Sequence, residues 1–167
     1  MNLCSIASGS SGNCIYVGNE NANFLVDVGI SGKRIIQGLN DIDVNPENLD
    51  GVFVTHEHSD HVSGLGVMAR KFNIPIYATV ETINAILKIK SLGRIPTELF
   101  HIIEPDVPFE LNDIEVNPFS ISHDASNPVC YTFKSEEHKV GIATDLGMYD
   151  DYIISHLSGS ELLLLEA

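Results

Sequence analysis

The chain has 167 residues, 44% of them hydrophobic and 19% charged, enough for one soluble domain with a sizeable core. Its formal net charge of −14 excludes a broad basic surface, the usual footing for extended nucleic-acid contact. No apolar run approaches the roughly 20 residues that span a bilayer. Met1-Asn2-Leu3-Cys4 opens without a basic or signal-like stretch, so a cytoplasmic location without a membrane partner is expected.

In chain order, residues 3–7 and 14–17 read as paired strands around the loop 8–13, and 24–28 as the next strand. A helix is predicted over 32–39 with Ser31 as its N-cap. Residues 52–55 form a near-continuous apolar strand, as expected when both faces are covered. A helix over 65–72, a strand over 74–78 and a helix over 81–92 stopped by Gly93 follow. Beyond Pro96 the pattern turns to β: strands over 114–122, 129–134 and 140–144, with 135–138 as a polar hairpin turn. A helix over 148–157 and a buried, central strand over 162–165 complete the chain. There is no repeat and no linker, so residues 1–167 are expected to form one domain of layered α/β architecture.

The strand at 52–55 empties into Thr55-His56-Glu57-His58-Ser59-Asp60-His61. Three imidazoles and a carboxylate within six residues are the donor set of borderline divalent cations such as zinc. Continued as a strand, the segment would aim His56, His58 and Asp60 to one side. Two metals a few ångströms apart need about this many donors, and such pairs do hydrolytic chemistry. His123 ends another apolar strand and is a further ligand candidate. Asp145 ends a third before Gly147, and metal ligand and helix N-cap are both open for it. His101, His138 and His156 lack such contexts: His138 sits in a charged turn, and His156 near a helix end. Glu57, between two ligand candidates, is expected to face away and has no chemical role. Three cysteines, Cys4, Cys14 and Cys130, form no metal spacing and read as reduced, mostly buried thiols.

The pattern His56-x-His58-x-Asp60-His61 resembles the signature of the metallo-β-lactamase-fold hydrolases. Phe24-Leu25-Val26-Asp27-Val28-Gly29 is similar to that family's early strand with its buried Asp. Ala143-Thr144-Asp145-Leu146-Gly147 resembles the later strand whose Asp bridges two metals. The opening Ser8-Gly9-Ser10-Ser11-Gly12-Asn13-Cys14 and the stretch Ser122-His123-Asp124-Ala125 are similar to the YycJ/WalJ (VicX) branch, regarded as cytoplasmic metal-dependent nucleases with 5′-exonuclease activity on DNA.

The resemblance implies an αββα sandwich holding two divalent metal ions, zinc, manganese or iron. One would be held by His56, His58 and His123, the other by Asp60, His61 and a later His, with Asp145 bridging. Asp60 and Asp145 are then the catalytic carboxylates, Asp60 orienting the nucleophile, and DNA the expected substrate. Asp27 is expected to support the ligands from behind or to pin the adjacent loop, a plain structural carboxylate being the open alternative, and Thr55 to bond backbone or a ligand. Ser8, Ser10, Ser11 and Asn13 either contact phosphate or form a tight Gly/Ser turn. Lys33, Arg34, Arg70 and Lys71 are the few clustered basic residues for phosphates, and solvated helix faces explain them equally well. Family members continue past such a strand to a final metal-binding His, so the C-terminal part is expected to be missing at Ala167. Two other readings share the ligand set: a small-molecule hydrolase, either a glyoxalase II-like thioesterase or a lactonase, and a catalytically incomplete metal-binding fragment. Oligomeric state stays open.

Overall fold

A computed structural model describes residues 1–166; Ala167, the end of the chain discussed above, lies outside them. The elements are β1 (Asn2–Ala7), β2 (Cys14–Gly18), β3 (Asn23–Val26), α1 (Gly32–Asp41), β4 (Gly51–Phe53), α2 (Ser59–Val62), α3 (Leu65–Phe72) and β5 (Ile76–Ala78). They continue with α4 (Val80–Leu87), β6 (Phe100–Ile102), β7 (Phe109–Leu111), β8 (Ile114–Ser120), β9 (Val129–Ser135), β10 (His138–Ala143), α5 (Asp151–Leu157) and β11 (Leu162–Leu165).

The strands form two sheets. The first runs β1 to β6 in order, antiparallel through β3 and parallel from β3 to β6. The second runs β11-β10-β9-β8-β7, antiparallel except for the β10–β11 pair. Phe24, Phe53, Tyr131 and Phe133 fill the space between the sheets, with Phe53 edge-on to the other three rings. Strand alternation explains how β4 serves two cores. Phe53 points between the sheets, while Val52 and Val54 point to the outer face, where Ile35, Leu39, Leu65, Met68 and Ile83 cover the first sheet. On the far side Ile153 of α5 packs with Phe119, Cys130 and Ala143. The layers are therefore helices, sheet, sheet, helix, the αββα sandwich that the resemblance implied.

Several boundaries differ from the sequence pattern. The strand expected over 24–28 ends at Val26 because Asp27 turns left-handed, φ 59°. The segment 52–55 is a strand only to Phe53, and the motif does not stay extended: His58 instead caps the one-turn helix α2. The helix expected over 81–92 ends at Leu87. Ile89 leaves helical geometry to pack on the outer core, and 90–92 forms a separate 3-10 turn closed by Gly93 at φ 69°. The helix expected from 148 starts at Asp151, because the Asp150 side chain accepts from Ile153 N and caps it there. Strands β6 and β7 have three residues each, too few to show a period. The capping of α1 by Ser31 is as expected.

One expectation is reversed. Among the described residues the strand at 162–165 is neither central nor buried: β11 lies at the edge of its sheet and pairs with β10 alone. Leu162, Leu163 and Leu165 are 44%, 46% and 56% exposed, since no described residue covers that edge.

Candidate metal centre

The parallel strands β3, β4 and β5 share one direction, so the segments that follow them gather at one rim of the sandwich. Asp27 follows β3 and the motif follows β4. His123 comes from the β8–β9 loop and Asp145 from the end of β10. Asp27 and Asp145 both have positive φ, 59° and 55°, a conformation that Asp tolerates better than most residues. Asp145 is therefore not the cap of a helix, which begins only after Asp150.

The donor atoms converge. Those of His56, His58 and His123 lie within 4.8 Å of one another, and so do those of His56, His61 and Asp145. His123 Nε2 lies 3.4 Å from His58 Nδ1. Asp145 Oδ2 stands 2.9 Å from His61 Nε2 and 3.9 Å from His56 Nε2, so it reaches across both groups. Asp60 Oδ2 is 3.5 Å from His61 Nε2.

A buried network behind the donors fixes their orientation. Asp27 is fully buried; its Oδ1 accepts from Thr55 N at 2.8 Å, and its Oδ2 accepts from Thr55 Oγ1 at 2.8 Å and from His61 Nδ1 at 2.7 Å. The Thr55 hydroxyl spends its one proton on Asp27, so its oxygen accepts from His56 Nδ1 at 3.0 Å. Both imidazoles thus carry the proton on Nδ1 and turn Nε2 toward the cluster. His56 Nε2 is buried with no hydrogen-bond partner, a lone pair aimed into a group of metal-type donors. Such an orphan is what a cation would satisfy.

Electrostatics separate the two buried imidazoles. Burial lowers His56 to about 4, helped by neighbouring His61. Burial would lower His61 too, but Asp27, Asp60 and Asp145 outweigh it and raise it to about 9. Burial would raise the Glu57 carboxyl, yet bonds from its own backbone and from Ser126 hold it below its ordinary value. Burial pushes the Cys14 and Cys130 thiols up, which makes them poor nucleophiles.

The fold and the donor geometry agree with what comparison finds. The model of the Metallo-beta-lactamase superfamily matches residues 7–162. The chain belongs to the metallo-beta-lactamase superfamily. It is 39% identical over 162 residues to "Exodeoxyribonuclease YycJ" of Bacillus anthracis, covering 97% of this chain and 61% of that protein. It is 38% identical over 162 residues to "Exodeoxyribonuclease WalJ" of Streptococcus pneumoniae serotype 2, covering 97% of this chain and 60% of that protein. The chain thus spans about three fifths of the length of these relatives. Among solved structures, a B3 metallo-beta-lactamase with an active-site glutamic acid superposes with TM-score 0.74 at 12% identity, over 98% of this chain and 75% of that one. The Rm3 metallo-beta-lactamase gives 0.72 at 14%, over 98% and 74%. At such identities these two speak for the fold alone.

Within this metallo-beta-lactamase rim, His56, His58, Asp60, His61, His123 and Asp145 all meet at one place. The other histidines do not join them: His101 stacks on Tyr77, His138 bonds Glu161 Oε2, and His156 bonds Asp106 Oδ1. Asn13 is not free for phosphate. Its side chain is buried, accepts from Gly9 N, donates to Gly9 O, and reaches Asp60 O and His61 Nε2 at 3.3 Å. Ser8, Ser10 and Ser11 are exposed on that loop. Arg70 is also engaged, donating to the carbonyls of Leu92 and Arg94.

Two residues near the donors make contacts that sequence reasoning did not assign to them. Glu57 turns away from the cluster, as expected, but bonds Ser126 of the loop carrying His123. Gly29 lies so close to the motif that an added Cβ would sit 1.7 Å from Asp60 O. The Gly after the strand-end Asp was the only sequence signal for it.

Proposed function

We propose that this chain is a dinuclear metal-dependent phosphodiester hydrolase acting on DNA as a 5′-exonuclease in the cytoplasm, with residues 1–167 as one metallo-β-lactamase-like domain. The observation that carries the reading is the convergence of the donor sets His56/His58/His123 and His56/His61/Asp145. The likeness to the two exodeoxyribonucleases supports DNA as the substrate.

One cation would be held by His56, His58 and His123, the second by Asp60 and His61, with Asp145 between them; zinc, manganese or iron suits such donors. Bound there, two cations would supply Lewis acidity toward a phosphoryl oxygen and would acidify a water. Asp60 accepts a proton from the attacking water through its carboxylate and orients it. Asp27 and Thr55 keep the protons of His61 and His56 on Nδ1, leaving Nε2 free. Ser8, Ser10 and Ser11 offer hydroxyls to phosphate on the exposed turn. Cations held there would add about four positive charges where a polyanion must approach, offsetting the net charge of −14 locally.

That same net charge favours a small substrate, which keeps thioester or lactone hydrolysis as the competing reading. The two are separated by assaying a 5′-labelled DNA duplex beside a glutathione thioester, with added Mn²⁺ or Zn²⁺ and His58→Ala as control. Metal-dependent release of short DNA products, lost in the control, is expected. Turnover of the thioester alone would transfer the chain to the competing class.

A further inference from the structure

The β8–β9 loop, residues 121–128, is irregular, yet it carries His123 to within 3.4 Å of His58. Those two residues are 65 positions apart, so something must hold the loop against the motif. The loop closes on itself through Ile121 N to Pro128 O and Ala125 N to His123 O. Its position relative to the sheet is then set by a few anchors. Gly147 N donates to Ser122 O, and the Thr79 hydroxyl and Glu81 carboxylate bond Asn127. A further anchor, acting inside the loop, is Glu57. Its Oε1 accepts from both Ser126 N and Ser126 Oγ, each at 2.9 Å. Its Oε2 is buried and has no hydrogen-bond partner, so Ser126 provides the side-chain and backbone donors that compensate this carboxylate from across the fold.

The segment that supplies His56 and His58 holds the loop twice: Thr55 O accepts from Val129 N at 3.0 Å just past the loop's end, and among the described residues Glu57 is the segment's side chain that grips the loop itself. The Glu57 backbone lies between the two imidazoles, and its carboxylate grips the residue three positions after His123. A charge-assisted bond with two donors on one residue fixes distance and direction together. An irregular loop free to wander would have to be ordered when a cation binds, and that ordering weakens binding. A loop already clamped avoids this cost.

We propose that Glu57 is a positioning residue: by clamping Ser126 it holds His123 against His56 and His58, completing a three-imidazole metal set before any metal arrives. The inference rests on reading those imidazoles as one ligand set; it does not depend on the identity of the substrate.

The test measures zinc affinity of the whole chain by competition with a chromophoric chelator, together with visible spectra of the cobalt(II) form. Glu57→Ala is expected to weaken zinc binding about 10- to 100-fold and to alter the cobalt spectrum as the His123 nitrogen is lost. Glu57→Gln keeps a carbonyl acceptor for both Ser126 donors and is expected to stay within about threefold of the wild type. Ser126→Ala, which keeps the amide donor, is expected to fall between, about fivefold weaker. Wild-type affinity and spectrum in Glu57→Ala would overturn the proposal, and so would a loss in Glu57→Gln as large as in Glu57→Ala. Should Glu57→Ala not fold, unchanged affinity in Ser126→Ala overturns it. A wild-type chain that binds zinc but cleaves no DNA would refute the nuclease reading and leave this test intact.

Discussion

The Asp27 carboxylate reaches the His61 ring across 34 positions of sequence, with Oδ2 accepting from Nδ1 at 2.7 Å in a fully buried setting. Through Thr55 the same carboxylate reaches His56 as well. One buried acid therefore sets the tautomer and aim of two imidazoles, as a carboxylate supporting metal ligands from behind would do. Asp27→Asn tests this without disturbing the backbone, because Asn also tolerates the left-handed φ of 59° found there. Divalent-cation affinity is expected to drop about 10- to 100-fold. Unchanged affinity in chelator competition would mean that the network is merely structural.

The two imidazoles make opposite pH predictions for the metal-free protein. His61 is raised to about 9, so its stabilising contribution is complete below its unfolded value near 6.5 and is lost as pH rises through about 9. His56 is lowered to about 4, so its contribution is present above about 6.5 and is lost as pH falls through about 4. The thermal midpoint of the metal-free protein is expected to decline on both sides of the region near pH 6.5. A monotonic rise with pH across this range would contradict the assignment of His61.

A metal held by His61 would have to displace that residue's second proton, since a ligating imidazole is neutral. At pH 7.5, metal binding is therefore expected to release about one proton from this residue. Calorimetry in two buffers of different ionisation enthalpy reads the number directly. Identical heats in both buffers would show that no proton leaves.

Gly29 offers a test from the backbone side. An alanine Cβ there would meet Asp60 O at 1.7 Å and His61 N at 2.7 Å, both main-chain atoms that no rotamer change can move. Gly29→Ala is expected to cost about 3 kcal/mol or more, read as a lower urea midpoint, and to weaken metal binding because Asp60 and His61 shift. A variant of wild-type stability would show that the rim is far more pliant than its packing indicates.

Much of the centre was legible because His56, His58, Asp60 and His61 are neighbours in sequence, and a local donor cluster needs no fold to be recognised. His123 and Asp145 were visible only as polar residues at the ends of apolar strands, given weight by the motif upstream. A layered α/β architecture was legible from apolar runs such as the one around Phe53, which serve two faces, and the αββα sandwich only through the resemblance carried by the motif. What stayed hidden depends on direction rather than residue type. Asn13 turns inward because Gly9 and Gly12, at φ 108° and 142°, fold the loop back on itself. The grip of Glu57 on Ser126 needs two loops brought together by both sheets, and no spacing encodes it. The leucines of β11 read as core because a run of four carries no information about which strand edge it occupies.

Two cations are proposed to sit at one rim of this sandwich, one between His56, His58 and His123 and one beside Asp60 and His61. Anomalous diffraction from crystals grown with zinc, recorded on both sides of its absorption edge, tests it most directly. Two peaks are predicted, one among His56, His58 and His123 and one beside Asp60 and His61, both within reach of Asp145. A single peak, or zinc found only away from these residues, would rule out a two-cation centre at this rim.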